Sequence, residues 1–292
     1  MANAEVIQIL RETIQNQDRE GLLGRFRQLH PADAAEQLAA LTAVEVGRYI
    51  ELAGPAESLS VFEFVPFELQ KETLKHLPQS ILQEIMTFMS PDDRADLVEE
   101  LDEESPERIL SHLMRAERQN ILKLITYHDD SAGAYMTTDY AFLHPALPIR
   151  EALDQLRFQA SKKETIYYVY VVDYSRRLIG FVSLEDLILG RPDHHVSDVM
   201  NRNVISVRVD EDIENVVKEM RHYDFLAMPV VDGDQRLVGI ITYDDVFDVM
   251  TEEATEDMYL LANLDTDEKI TSSLMRSVKL RVPWLLINLG TA

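Results

Sequence analysis

Over the first 128 positions the apolar residues recur at helical spacing, as in Leu97 and Leu101 and then Ile109, Leu110 and Leu113, and no strand-like alternation interrupts them. That is the 3.6-residue period of helices with one buried face. Prolines recur at Pro31, Pro55, Pro66, Pro78, Pro91 and Pro106, roughly one per short helix and turn. His30-Pro31, Ser90-Pro91 and Ser105-Pro106 each set a polar residue before a proline. Proline is well placed at a first helical position, where its missing N–H is no loss and its φ already fits. The pattern predicts short helices in tandem, an α-solenoid or small superhelical bundle.

From about Tyr135 the period changes to that of strands. Ile166–Val172 and Leu178–Val182 are short apolar runs, and they return as Ala227–Val231 and Leu237–Ile241. Asp173, Gly180, Ser183 and Asp186 align with Asp232, Gly239, Thr242 and Asp245, always 59 positions apart. Upstream, Ala134–Met136 pairs with Asp198–Met200, and Ile149–Leu156 pairs with Ile213–Met220 as a first helix. Each unit reads strand, helix, strand, turn, strand, helix. Neither unit covers its apolar face alone, so two sheets packed face to face are expected.

The second unit runs into a further helix predicted over 244–261. Phe247, Met250, Ala254, Met258 and Leu261 fall on one side; Asp245, Asp248, Glu252 and Glu256 share a stripe on the other, with Glu253 and Asp257 beside it. From Thr242 to Glu268 there are ten carboxylates and no Lys or Arg. Like charges at i,i+4 oppose a helix by a few tenths of a kcal/mol per pair, roughly, so the stripe calls for a counter-charge. The stretch after Ser90-Pro91 repeats the theme, with Asp92, Asp96 and Glu99 or Glu100 on one face. Asp92 and Asp93 are also ordinary first-turn acids facing the positive end of a helix dipole. From local pattern, a solvated acidic face and a cation site both fit.

The whole chain carries 52 acids against 28 bases, a formal charge of −24 over 292 residues. This argues against nucleic acid as a partner and favours cations or basic partners. There is no cysteine, which excludes thiolate metal sites and disulfides. The N-terminus is charged and mixed, unlike a signal peptide. Near the other end, Arg276, Lys279 and Arg281 precede Trp284 and an apolar run to Leu289. A short packed helix and the opening of a transmembrane helix both fit, and basic residues followed by an interfacial Trp favour the second.

Hydrophobic-Val-Val-Asp strand ends, the turns YSRRLIG and GDQRLVG, and a doubled G-hydrophobic-x-S/T-x-x-D resemble a tandem pair of cystathionine-β-synthase (CBS) domains. With the acidic helical region before them and RVPWLLINL after, and with the phrases SPDDRADLVEEL, ETIYYVYVVD and DDVFDVM…EEATEDM, the chain resembles the cytosolic part of MgtE-family magnesium transporters and channels. The resemblance implies a multidomain α and α/β chain: a superhelical N domain over 1–130, CBS domains over 131–195 and 196–250, and a connecting (plug) helix with the start of a first transmembrane helix over 251–292. It implies a homodimer through the CBS domains, attached to its own transmembrane domain at the cytoplasmic face of the membrane. It implies a gate that Mg²⁺ closes by bridging acidic faces. Carried over position by position, Asp92 and Asp96 are expected to face Asp245, with Asp224, Asp248, Glu253, Glu256 and Asp257 serving the CBS and connecting-helix sites, and Asp212 and Glu214 as further candidates. ATP is a second candidate ligand, with Tyr168 stacking on a base and Ser183 and Asp186 taking phosphate and ribose, although Glu185 stands where a basic residue would better meet phosphate.

Plainer roles are open to the same residues. Asp245 and Asp186 suit helix caps, Asp224 the end of a helix, Asp212 and Glu214 a first turn. Mg²⁺ prefers oxygen ligands and keeps waters, so loosely facing carboxylates suffice, whereas no EF-hand loop occurs. His128-Asp129-Asp130 and Asp193-His194-His195 are weak metal patterns that fit polar loops. No Gly-rich phosphate loop or nucleophile motif is present, so no enzyme is expected. Two other functions compete with the gate: an adenine-nucleotide-sensing CBS module, and an acidic scaffold docking a basic partner.

Overall fold

The computed structural model describes residues 2–99, 115–160, 163–247 and 249–251. Through the first part run α1 (Ala2–Gln15), α2 (Arg19–Phe26), α3 (Pro31–Leu38), α4 (Ala43–Ala53), α5 (Pro55–Phe62), α6 (Phe67–His76), α7 (Gln79–Phe88), α8 (Pro91–Glu99) and α9 (Arg115–Leu124). Pro31, Pro55 and Pro91 open their helices as first residues, while Pro66 and Pro78 stand one position before α6 and α7. Pro106 lies outside the described residues. α4 starts with a reciprocal cap: Glu45 N donates to Thr42 Oγ (3.4 Å) and Thr42 N to Glu45 Oε2 (2.8 Å). Tyr49, Phe62, Leu74, Ile85 and Leu97 are almost wholly buried between the helices. Each such side chain contributes roughly 1.5–3 kcal/mol of burial, and short helices of this kind stand only through that packing.

The second part is the doubled unit expected from the repeat. The first holds β1 (Phe142–Leu143), α10 (Ile149–Gln159), β2 (Tyr168–Val172), β3 (Leu178–Ser183) and α11 (Leu184–Leu189). After the short α12 (Val196–Val199), the second holds β4 (Val207–Arg208), α13 (Ile213–Tyr223), β5 (Ala227–Val231) and β6 (Leu237–Thr242), with helix again at 243–247 and 249–251. In both sheets the short first strand runs parallel to the middle one, which pairs antiparallel with the third: β1-β2-β3 and β4-β5-β6. All of β5 and all but the first residue of β2 are buried, as strands covered on both faces should be. Tyr140, Tyr170, Val172, Ala227, Leu237 and Ile240 form a core between the two sheets.

The repeated Asp, turn and Gly now have physical reasons. Asp173 Oδ1 accepts from Ser175 N (2.8 Å) and Arg177 N (2.9 Å); Asp232 Oδ1 does the same for Asp234 N and Arg236 N, both at 2.9 Å. The two turns then pair with each other, Leu178 N to Gln235 O and Leu237 N to Arg176 O, each 3.0 Å. The chain before each unit packs on the other unit. Thr137 bridges to Ile240 in β6, and Asn201 bridges to Phe181 in β3. A Cβ at Gly239 would come within 2.6 Å of Met136 Sδ, and one at Gly180 within 2.5 Å of Asn201 O. The glycines therefore let the exchanged segments approach. Through Ala132 and Met136 the core of the second unit is continuous with that of the helical part.

Candidate functional site

Two acidic elements meet where the helical part touches the second unit. In α8, Leu97 and Val98 are buried, which leaves Asp92 half-buried and Asp93 and Asp96 exposed. Ser90 Oγ accepts from Asp93 N (3.3 Å) at the head of that helix. On the other side β6 ends at Thr242, and the next helical turn carries Asp244 and Asp245. Thr242 Oγ donates to Asp245 Oδ2 at 2.6 Å, and Thr242 N at 3.4 Å. Glu63, just after α5, and Glu164, whose N–H is held by Asp139 O (2.9 Å), complete the group.

These carboxylates act on one another. Loss of hydration, then repulsion from Asp92, pushes Asp245 up to about 8, with Asp244 adding to it and Thr242 partly offsetting it. Asp92 is pushed up to about 6 by lost hydration and then by Asp93, against help from Ser90 and Thr137. Glu63 rises to about 7 through lost hydration and then Asp93 and Asp92. Glu164 rises to about 7 for the same first reason, followed by Asp92, Asp244, Asp93 and Glu63. Asp93 is raised by lost hydration and by Asp244, while Ser90 and Arg94 pull it down. Glu63, Asp93 and Glu164 keep exposed surface, so water screens the repulsion more there than at Asp92 and Asp245. Asp92 Oδ1 is buried without a hydrogen-bond partner among the described residues, an arrangement that is costly unless something supplies a positive counterpart.

The donors are all carboxylate and hydroxyl oxygens, the set a hard divalent cation prefers. Among the described residues no three His, Asp or Glu side chains stand close enough to ligate an ion directly. The fit is to a hydrated ion lying between facing acids, with Asp92 Oδ1 as an unsatisfied acceptor.

The structure sorts the expected residues. Asp92 and Asp245 are brought together. Asp96 lies instead with Glu63 and Asp93 around a cavity of 280 Å³ within the helical part. Asp212 caps α13, accepting from Glu214 N (2.9 Å), and Glu214 pairs with Lys218 (2.9 Å). Asp224 ends that helix in the left-handed region at φ 53°. None of these three is among the main charges acting on Asp92 or Asp245. Asp248, Glu253, Glu256, Asp257 and the connecting helix expected beyond Thr251 lie outside the described residues. Tyr168 is half-buried, edge-on to Phe181 (5.8 Å), and Ser183 and Asp186 are engaged in a capping box. Four members of the acidic group, Glu63, Asp93, Asp244 and Glu164, are additional to the residues expected from the sequence. Glu63 had a signal, a lone acid inside the apolar run Val61-Phe-Glu-Phe-Val65; Asp93 was masked by its credible role in a first turn.

A family model described as the MgtE intracellular N domain matches residues 29–130, and the CBS domain model matches 132–191 and 196–252. The crystal structure of the soluble part of a magnesium transporter superposes with a TM-score of 0.79 at 35% identity, covering 86% of this chain and 99% of that one. The chain belongs to the MgtE family. The magnesium transporter MgtE of Thermus thermophilus is 37% identical over 284 residues, 95% of this chain and 63% of that protein. The Enterococcus faecalis magnesium transporter MgtE is 43% identical over 170 residues, 58% of this chain and 37% of its own length. The chain thus spans less than two thirds of the curated relatives it matches. A second structure, the cytosolic domain of the Mg²⁺ channel MgtE in complex with ATP, gives a TM-score of 0.76 at 38% identity, covering 82% and 98%. MgtE relatives are transporters and not enzymes, in line with the missing nucleophile motifs. Among the described residues no helix is long and apolar enough to cross a membrane.

Proposed function

We propose that this chain is the Mg²⁺-responsive gating region at the cytoplasmic face of an MgtE-type magnesium transporter. The observation that carries this reading is the meeting of Glu63, Asp92 and Asp93 from the helical part with Glu164, Asp244 and Asp245 from the CBS pair, charges that raise one another's pKa. Without a cation the two faces repel as they lose protons. A divalent ion supplies positive charge and a shell of water between them. Asp92 and Asp245 then retain full charge at the junction, and the docked arrangement gains population because it binds the ion better than the separated one. Asp96, Asp212, Glu214 and Asp224, together with Asp248, Glu253, Glu256 and Asp257, are proposed as further cation contacts that form as the domains and the connecting segment close.

The protein is proposed to work as a homodimer through its CBS domains. Phe158, Ile188, Leu189, Leu226 and Phe247 are exposed apolar residues on that pair, side chains that a partner copy would cover. Sedimentation velocity on the CBS pair with its helical domain should show a dimer.

The test is a melting curve with rising Mg²⁺ against NaCl of matched ionic strength. Mg²⁺ should raise the Tm and protect the junction from protease, and Asp92→Asn or Asp245→Asn should weaken both effects. A response equal to that of NaCl would falsify the reading. A second reading, adenine-nucleotide sensing at Tyr168, Ser183 and Asp186, is supported by the ATP complex of the related cytosolic domain. In that case ATP would raise the Tm in chelator, and Tyr168→Ala would abolish the rise.

A further inference from the structure

A cavity of about 520 Å³ opens between α9 and the two paired turns of the CBS units, and its charge is opposite to that of the molecule. Lys123 of α9, Lys163, Arg176 and Arg236 line it, against Asp139 and Asp232. Four bases and two acids in one hollow stand out in a chain of formal charge −24. Like-signed charge in a concave wall focuses field and concentrates counter-ions. The volume lies in the range of small-molecule sites, about 300–1,000 Å³.

The bases are only partly spoken for. Lys163 Nζ stands 3.5 Å from an Asp139 carboxylate oxygen, and Arg236 Nη1 is 4.0 Å from Asp232 while pairing with Asp234 at 2.9 Å. Lys123 is exposed and has no ion-pair partner among the described residues. Arg176 is held in place: its Nη2 donates to the Tyr140 hydroxyl (2.6 Å), its guanidinium lies over Phe142 (5.1 Å), and its backbone has the left-handed φ of 64°. Tyr140 in turn donates to Leu237 O at 2.9 Å. A fixed guanidinium keeps unused N–H donors in one plane, the arrangement suited to phosphate oxygens.

We propose that this cavity binds a diphosphate-bearing anion, which ties α9 of the helical domain to the turns of both CBS units. Arg176 and Arg236 take phosphate oxygens on the CBS side, and Lys123 closes over them from α9. Lys163 sits at the boundary between this site and the acidic junction, since its neighbour Glu164 belongs to the other group. The site is separate from Tyr168, Ser183 and Asp186, none of which lines the cavity.

The test is calorimetric titration of the whole chain in chelator and moderate salt, with inorganic pyrophosphate and, separately, ADP. Each should bind at one site, and Lys123→Glu should weaken it at least tenfold, roughly the loss expected of one charge-assisted contact. Arg157→Glu, an exposed charge reversal on α10, should leave it unchanged. Lys163→Gln is the second variant, with a smaller loss. Tighter binding of ADP than of pyrophosphate in the Lys123-sensitive site assigns the diphosphate to a nucleotide, and the reverse order assigns it to a free polyphosphate. Absence of binding, or equal weakening by Lys123→Glu and Arg157→Glu, overturns the proposal. Binding of ADP that Tyr168→Ala removes and Lys123→Glu spares overturns it also, by placing the ligand in the other cleft.

Discussion

Asp186 and Asp245 hold the same place in two copies of one unit, and they lead different lives. Each follows its strand by three residues and closes a cap with the hydroxyl residue before it, Ser183 or Thr242. Asp186 is exposed. Asp245 is half-buried against α8 and pushed up to about 8, with Asp92 the leading charge against it. The local chemistry is copied; the neighbour is not. A cap residue becomes a candidate sensor when another acidic surface is folded onto it.

Gly180 and Gly239 offer the most forceful way to test how alike the copies are. Gly180→Ala should cost about 3 kcal/mol, because its Cβ meets the backbone oxygen of Asn201. Gly239→Ala should cost somewhat less, about 2 kcal/mol, since Met136 Sδ can yield a little although the backbone oxygen of Thr137, 2.9 Å from the added Cβ, must shift as well. Chemical denaturation of both variants checks the order, and equal costs would mean the two exchanged segments are held alike. Next comes Asp245→Asn. Each pKa unit is worth about 1.4 kcal/mol, and after discounting for partial exposure the variant should gain on the order of 2 kcal/mol at pH 8 in chelator. It should also lose most of its Mg²⁺ response.

pH gives the third test. Glu63, Asp92, Glu164 and Asp245 have folded-state pKa values above their unfolded ones. The folded chain therefore binds more protons than the unfolded one between about pH 4 and 8, and stability falls as pH rises through that window. In chelator the Tm should drop by a few degrees from pH 5 to pH 8, on the order expected for about 1–2 kcal/mol in a chain of this size. The Mg²⁺-induced rise should be larger at pH 8 than at pH 6, because fewer protons compete. A flat profile would show that the acids do not meet in solution. The smallest effect is expected at the copy: Asp186→Ala should cost about 1 kcal/mol as a lost cap and leave the Mg²⁺ response intact.

The sequence made the repeat legible because alternation, turn residues and a fixed spacing all report on the local backbone. It made Asp245 legible as a cap for the same reason. It did not make the acidic junction legible. Glu63 and Glu164 lie far apart in the chain and join only when α5 and the start of β2 converge on α8. Asp93 looked fully explained by its helix dipole. Asp224, Asp212 and Glu214 rest on the resemblance alone, and in the structure they cap, end or pair along their own helix. The cationic cavity was hidden in the same way, as Lys123, Lys163, Arg176 and Arg236 come from separate segments and each is unremarkable in its own.

The exchanged segments bear on how the chain is made. In the first unit Phe181 waits only for Asn201, 20 positions later, so β3 gains its neighbour soon after it is synthesised. In the second, Ile240 reaches back 103 positions to Thr137, which has been exposed since before the first unit existed. Closing a long-range pairing is the slow kind of step in folding. As the chain leaves the ribosome, the stretch around Ala132–Thr137 is thus an early-made piece awaiting a late partner. A nascent chain stopped before β6 would leave Met136 without its buried seat, and translation pauses or chaperones acting on that interval should matter more than those acting on the first unit.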